Sequence, residues 1–346
     1  MHRGGPGVSK AKPIILGVSG LELTADEAAL CAAERPAGLI LFRRNCETPD
    51  QLQSLIGAFR DAVGDADALV LVDQEGGRVA RLQPPHWREF PPAALYGRIA
   101  QEDFIEAAAA LQLATTLQAC ELRRLGITVN CAPVLDLFYP QGHDIIGDRA
   151  FSADPDVVSR LGRVAVDAMI NAGVLPVIKH IPGHGRATMD SHLDLPRIDA
   201  DVRSLCETDF VPFKALADAP FAMTAHIVYD AIDPALPATL SSKMIEDVIR
   251  GDIGFDGVLL SDDITMKALD GSMAERAVRA LGAGCDLVLH CSGDFDQART
   301  VLEATEIMNA DLADCLSQSL SLIANPAPAD LDNASARLSQ LIGAWV

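Results

Sequence analysis

The sequence predicts an α/β fold, a single (β/α)8 TIM-like barrel with its active site at the C-terminal ends of the strands. Three observations predict it. Eight short runs, residues 14–19, 38–42, 68–73, 127–134, 174–180, 221–226, 257–262 and 286–290, are apolar throughout rather than alternating. That is the pattern of strands covered on both faces. Between them, stretches such as 48–63, 105–125, 156–172 and 242–250 carry apolar residues at three- and four-residue spacing, as amphipathic helices do. Finally, Asp73, Asp136, Lys179, His180, His226, Asp262 and His290 all sit at or just past the C-terminal ends of runs. In a barrel those ends converge on one face, whereas in an open sheet they spread along an edge.

Each run contributes to that reading in turn. The first leads into Gly17-Val18-Ser19-Gly20, which lacks the G-x-G-x-x-G spacing expected of an open dinucleotide-binding sheet. The second hands over to the amphipathic stretch 48–63. The third ends on Asp73, ahead of Gln74-Glu75-Gly76-Gly77, and the fourth passes Ala132-Pro133-Val134-Leu135 before reaching Asp136. The fifth delivers Lys179 and His180, the sixth His226, the seventh Asp262 beside Asp263, and the eighth His290. From Asp294 onward the chain reads as helical, broken by the turn at Pro326 and Pro328, and is expected to wrap the outside of the barrel. No internal repeat or low-complexity linker divides the chain. Residues 1–346 therefore read as one domain, with 1–12 expected to be flexible.

Composition bounds the partners. A chain of 346 residues, 49% apolar and 22% charged, is long enough for a barrel with a large core. Its formal charge of −20 argues against nucleic acid and acidic membrane surfaces, which need clustered Lys and Arg. A small neutral ligand in a cleft fits better. The eight cysteines are scattered without a CxxC pair, and several sit in apolar runs as free thiols do. No apolar segment opens the chain or approaches a membrane span. The cytoplasm, with a monomer or weak dimer, is the expectation.

Chemistry concentrates in two places. The first is Lys179-His180-Ile181-Pro182-Gly183-His184-Gly185-Arg186-Ala187-Thr188-Met189-Asp190-Ser191-His192, where titratable side chains bunch on a loop after a strand. Asp190 and His192 lie close enough for the carboxylate to fix the imidazole tautomer, making a proton shuttle near neutral pH. His180, His184, His192 and His226 also resemble the ligand inventory of a metal hydrolase, although the first strand lacks a His-x-His pair. The second place is Gly257-Val258-Leu259-Leu260-Ser261-Asp262-Asp263. Adjacent strand residues point to opposite faces, so one acid is expected to face the axis. Asp262 there can serve as a nucleophile, and Asp263 suits a helix N-cap. Glu75 reads as a turn buttress paired with Arg78. His226 reads equally as pocket or core, and His290 and Asp286 as structural.

These residues also carry a resemblance. Val248-Ile249-Arg250-Gly251-Asp252 followed, four residues on, by Gly257 through Thr265 resembles the signature of family 3 glycoside hydrolases. With the Lys179–Gly185 motif and Asp190-Ser191-His192, it resembles their bacterial β-N-acetylhexosaminidase branch. So do Val72 through Arg81, Ala132-Pro133-Val134-Leu135-Asp136 and Ile146-Gly147-Asp148-Arg149-Ala150-Phe151. The resemblance implies that Asp262 is a nucleophile forming a covalent glycosyl-enzyme, and that His192 is the acid/base, oriented by Asp190. It further implies that Asp73, Arg81, Arg149, Lys179 and His180 hold the sugar's hydroxyls and N-acetyl group. No metal or cofactor is expected. Ile181, where an aromatic is common, is a departure that touches no catalytic atom. The implied substrate is a muropeptide fragment carrying β-linked N-acetylglucosamine, met in peptidoglycan recycling. A phosphorylase on the same fold and a metal-dependent amidohydrolase are the alternatives.

Overall fold

The structure, a computed structural model, describes residues 10–189, 195–343 and 345. The chain begins with β1 (Lys12–Gly17), α1 (Ala25–Glu34), β2 (Pro36–Leu41), α2 (Pro49–Val63) and β3 (Leu69–Val72). A hairpin, β4 (Gln74–Gly76) and β5 (Val79–Ala80), precedes α3 (Ala93–Glu102), α4 (Phe104–Leu125), β6 (Val129–Asn130), α5 (Pro155–Ala172) and β7 (Leu175–Ile181). There follow β8 (Arg197–Ile198), α6 (Val202–Glu207), α7 (Val211–Ala215), β9 (Phe221–Thr224) and β10 (Val228–Tyr229). The last third holds a π-helical segment (Met244–Asp252), β11 (Val258–Asp263), α8 (Met273–Ala283), β12 (Leu287–His290), α9 (Phe295–Ala304), α10 (Ala310–Leu322) and α11 (Leu331–Ile342).

Among the described residues eight strands close into a parallel barrel in the order β1-β2-β3-β6-β7-β9-β11-β12, with β12 returning to β1. Such closure leaves no sheet edge to protect. Alternate side chains fill the interior, among them Ile15, Ile40, Leu71, Val129, Val177, Phe221, Leu260 and Leu289. The outward-facing set, including Leu39, Val70, Ile178 and Leu259, packs beneath helices through residues such as Phe59, Leu117 and Leu161. One seam is tight: a Cβ at Gly38 would meet Ile15 Cδ1 and Leu69 O, each at 2.8 Å. Short polar side chains start several of the helices. Thr48 caps α2, Asp103 caps α4 and Asp154 caps α5, each accepting a backbone N–H of the first turn.

Three expected elements differ. The run 127–134 forms a regular ladder only over Val129–Asn130. Beyond it Pro133 has no N–H to offer, and the chain follows β7 through irregular bonds such as Leu135 N to Lys179 O at 2.7 Å. The stretch 242–250 takes a wider, π-helical path over Met244–Asp252. At the C-terminal end, α11 packs on α4, and Ala327 N in the Pro-Ala-Pro turn bonds Asn171 O at the end of α5. In contrast, α10 lies across the N-terminal mouth of the barrel rather than over its side. Its Leu316, with Met308 just before it, joins the interior cluster. No helix among the described residues is long and apolar enough to cross a membrane.

Candidate active site

The C-terminal face collects charge from elements far apart in sequence. Asp73 stands just past β3, and the β4–β5 hairpin supplies Glu75 and leads to Arg81. Lys179 and His180 end β7, and the 3-10 turn Gly147–Arg149 brings in Arg149. With Asp262 on β11, these side chains line a cavity of about 250 Å³, which Ile40, Phe42, Met223 and Leu289 also border. That volume is near the low end for ligand cavities, roughly 300 Å³, and suits one sugar ring.

Five charges form a row of alternating sign. Arg81 Nη2 lies 2.9 Å from Asp73 Oδ2, and Lys179 Nζ lies 2.9 Å from Asp73 Oδ1 and 2.6 Å from Glu75 Oε1. Arg149 closes the row with two parallel bonds of 2.8 Å to Glu75, the strongest carboxylate geometry arginine has. Burial alone would raise both acids. Lys179 and Arg81 instead hold Asp73 well below the usual range, and Arg149 and Lys179 bring Glu75 down to about 2. Burial likewise works against the Lys179 ammonium, but Asp73 and Glu75 push it above its ordinary value. Asp73, Glu75, Lys179 and Arg149 stay charged at neutral pH, so the cavity offers fixed donors and acceptors to hydroxyl groups.

Opposite the row, Asp262 Oδ1 accepts the Asp263 N–H at 2.8 Å. Asp263 is not a helix cap, because Ser272 caps α8. Its carboxylate instead takes the Thr265 N–H at 2.9 Å, the Thr265 hydroxyl at 2.6 Å and the Cys291 N–H at 3.2 Å. The Asp263 carbonyl accepts from His226 Nε2 at 3.0 Å, while Thr239 Oγ1 meets His226 Nδ1 at 2.7 Å. His226 is fully buried and braces the strand end instead of lining the cavity. Asp286, at the other end of β12, holds Arg250 and the Leu259 N–H, and His290 is buried.

After β7 the loop is anchored from below. Asp136 accepts the His184 N–H at 2.6 Å and the His180 N–H at 3.2 Å on one oxygen, and meets His180 Nδ1 at 2.7 Å with the other. Burial and the nearby His180 ring push His184 down to about 4. Further on, Arg186 Nε meets Asp209 Oδ2 at 2.6 Å. Asp190 and His192 lie outside the described residues. Among the described residues no cluster of three or more His, Cys, Asp or Glu side chains is placed to hold a metal ion.

The partners of two contributors escaped the sequence. Glu75 pairs with Arg149 and Lys179, whereas Arg78 pairs with Asp148 at 2.8 Å. The missed signal was the spacing Asp73-x-Glu75, since residues two apart on an extended segment share a face. Asp136 stood at a strand end, but its partners come from the following strand and loop.

Residues 12–322 match the model of the glycosyl hydrolase family 3 N terminal domain. The chain belongs to glycosyl hydrolase family 3. The β-hexosaminidase of Alkalilimnicola ehrlichii is 42% identical over 285 residues, spanning 81% of this chain and 80% of the relative. That of Tolumonas auensis is 39% identical over 288 residues, spanning 81% and 83%. The crystal structure of NagZ from Neisseria gonorrhoeae in complex with N-trifluoroacetyl-D-glucosamine superposes with a TM-score of 0.86 at 30% identity. It covers 96% of this chain and 98% of that one. This family 3 enzyme is a glycoside hydrolase of the bacterial β-N-acetylhexosaminidase branch, which displaces the amidohydrolase alternative.

Proposed function

We propose that this family 3 enzyme is a retaining exo-β-N-acetylglucosaminidase working through a covalent glycosyl-aspartate. The observation that carries the reading is Asp262, a strand-end carboxylate on a cavity otherwise lined by the Arg81–Asp73–Lys179–Glu75–Arg149 row. In the first step the Asp262 carboxylate attacks the anomeric carbon, the glycosidic bond breaks, and His192 gives its proton to the leaving oxygen. In the second, His192 takes a proton from water, whose oxygen displaces Asp262. Asp190 orients His192. Asp73, Arg81, Arg149, Lys179 and His180 hold the ring's hydroxyls and N-acetyl group, with Glu75 keeping Lys179 and Arg149 in place.

The substrate in this reading is a muropeptide fragment whose N-acetylglucosamine is cut from an anhydro-muramoyl unit during cell-wall recycling. Arg78 supports an anionic leaving portion. It borders the cavity, half-exposed, with its guanidinium steadied by Asp148 and the carbonyls of Asp144 and Ile145. The cytoplasm suits eight cysteines that are all free.

The test is release of p-nitrophenol from its β-N-acetylglucosaminide, with and without phosphate, alongside Asp262→Ala. The expected result is phosphate-independent turnover that the variant lowers by about 10⁴-fold or more. A one-sugar adduct should also appear on the Asp262 peptide when a slowly hydrolysed fluoroglycoside is used. A sugar phosphate as product would make the enzyme a phosphorylase, and absence of turnover would overturn the N-acetylglucosamine assignment.

A further inference from the structure

We infer that Asp136 is a positioning residue that fixes which nitrogen of His180 bears the proton, and thereby supplies the sugar site with a hydrogen-bond acceptor at His180 Nε2. The inference rests on the reading of His180 as a sugar contact. Asp136 is completely buried and meets three nitrogens from the end of β7 and its loop. Oδ1 takes the backbone N–H of His180 at 3.2 Å and of His184 at 2.6 Å, and Oδ2 meets His180 Nδ1 at 2.7 Å. An ionised carboxylate only accepts hydrogen bonds. The two backbone N–H groups that donate to Oδ1 favour the ionised form of the Asp136 carboxyl. Nδ1 must therefore be the protonated nitrogen.

In the neutral form of the ring the lone pair then lies on Nε2. His180 lines the cavity, and among the described residues Nε2 has no hydrogen-bond partner, so the pair is available to a hydroxyl group of the ligand. Its neighbour Lys179 only donates. The adjacent pair thus offers the sugar opposite hydrogen-bond polarity from consecutive residues, with the polarity of the second set from beneath by Asp136.

Asp136→Asn should reverse that polarity. The two backbone N–H groups require an oxygen, so the amide carbonyl stays toward them and the NH2 faces His180 Nδ1. The proton then moves to Nε2, which turns from acceptor to donor. A site that accepts from a hydroxyl group rejects the analogue lacking it far more strongly than an apolar site would.

The measurement compares the 3-, 4- and 6-deoxy analogues of p-nitrophenyl β-N-acetylglucosaminide in the native enzyme, Asp136→Asn and His180→Ala. The native enzyme should penalise one analogue by tenfold or more in kcat/KM. Asp136→Asn should lose that penalty and raise KM for the full substrate about tenfold. An unchanged penalty in Asp136→Asn overturns the inference. A KM in His180→Ala equal to the native one overturns the sugar-holding reading itself, and the inference with it. If Asp136→Asn fails to fold, long-range nitrogen–proton correlation on native protein labelled at histidine decides, with His180→Ala providing the assignment. Protonated Nδ1 with unprotonated Nε2 supports the inference, and protonated Nε2 overturns it.

Discussion

Lys179 is the residue on which the charged row turns, because its ammonium is the only group touching both Asp73 and Glu75 among the described residues. Its side chain is 2% exposed. Lys179→Met keeps the stem and deletes the charge, leaving two largely buried carboxylates facing one another without the ammonium between them. Breaking a buried pair in this way costs about 3–5 kcal/mol. Urea denaturation should show a loss of that size, and Glu75→Gln in the same chain should recover part of it. A loss below about 1 kcal/mol would mean the row does not depend on Lys179. Much of this site was legible because a barrel puts strand ends together, so a polar residue after an apolar run already names its location. Lys179, Asp73 and Asp262 were found that way. Glu75 was misread because its partner, Arg149, is 74 positions away; chain proximity favoured Arg78, and closure of the barrel decided otherwise.

At the scale of elements, apolar runs located all the barrel strands to within a few residues, because both faces of each are covered. What the pattern could not show was the path between elements. The segment after β6 hydrogen-bonds to β7 without a regular ladder, and α10 reads as amphipathic whether it lies on the barrel's side or across its mouth. Close helix contacts were equally hidden, and Gly97 in α3 is the clearest. Glycine inside a helix costs about 1 kcal/mol relative to alanine, so propensity alone favours Gly97→Ala. Yet a Cβ at Gly97 would lie 1.5 Å from the carbonyl oxygen of Phe151. That strand of backbone continues from the Gly147–Arg149 turn that carries Arg149. The clash outweighs the propensity gain, and α3 must back away. We expect Gly97→Ala to destabilise by about 1–3 kcal/mol and to raise KM severalfold by loosening Arg149. Thermal unfolding and steady-state kinetics check the two effects separately. A more stable variant would refute the clash, while a native KM in a destabilised variant would show that α3 does not position Arg149.

For the molecule as a whole, the buried histidines and carboxylates make stability fall on acidification in two windows. His184 is lowered to about 4 by burial and the neighbouring His180 ring, whereas in the unfolded chain a histidine titrates near roughly 6.5. Between those values the unfolded state binds a proton that the folded state refuses, so stability rises with pH across that window. His226 and His290 are lowered as well, both chiefly by burial, and act in the same direction. Asp73, Glu75 and Asp136 have lowered folded values. Their contribution is complete above the unfolded carboxylate value, roughly 4, and is lost as pH falls toward about 2. The first window is therefore the histidines' and the second the carboxylates'. Integrating for His184 alone, unfolding free energy should drop by about 2 kcal/mol between pH 7 and pH 5. Urea titrations at pH 8, 7, 6 and 5 would measure it, with His184→Gln flattening the curve by that amount. A stability independent of pH from 7 to 5 would mean that these rings accept protons in the folded state. The barrel mouth would then be open to water well below the cavity floor.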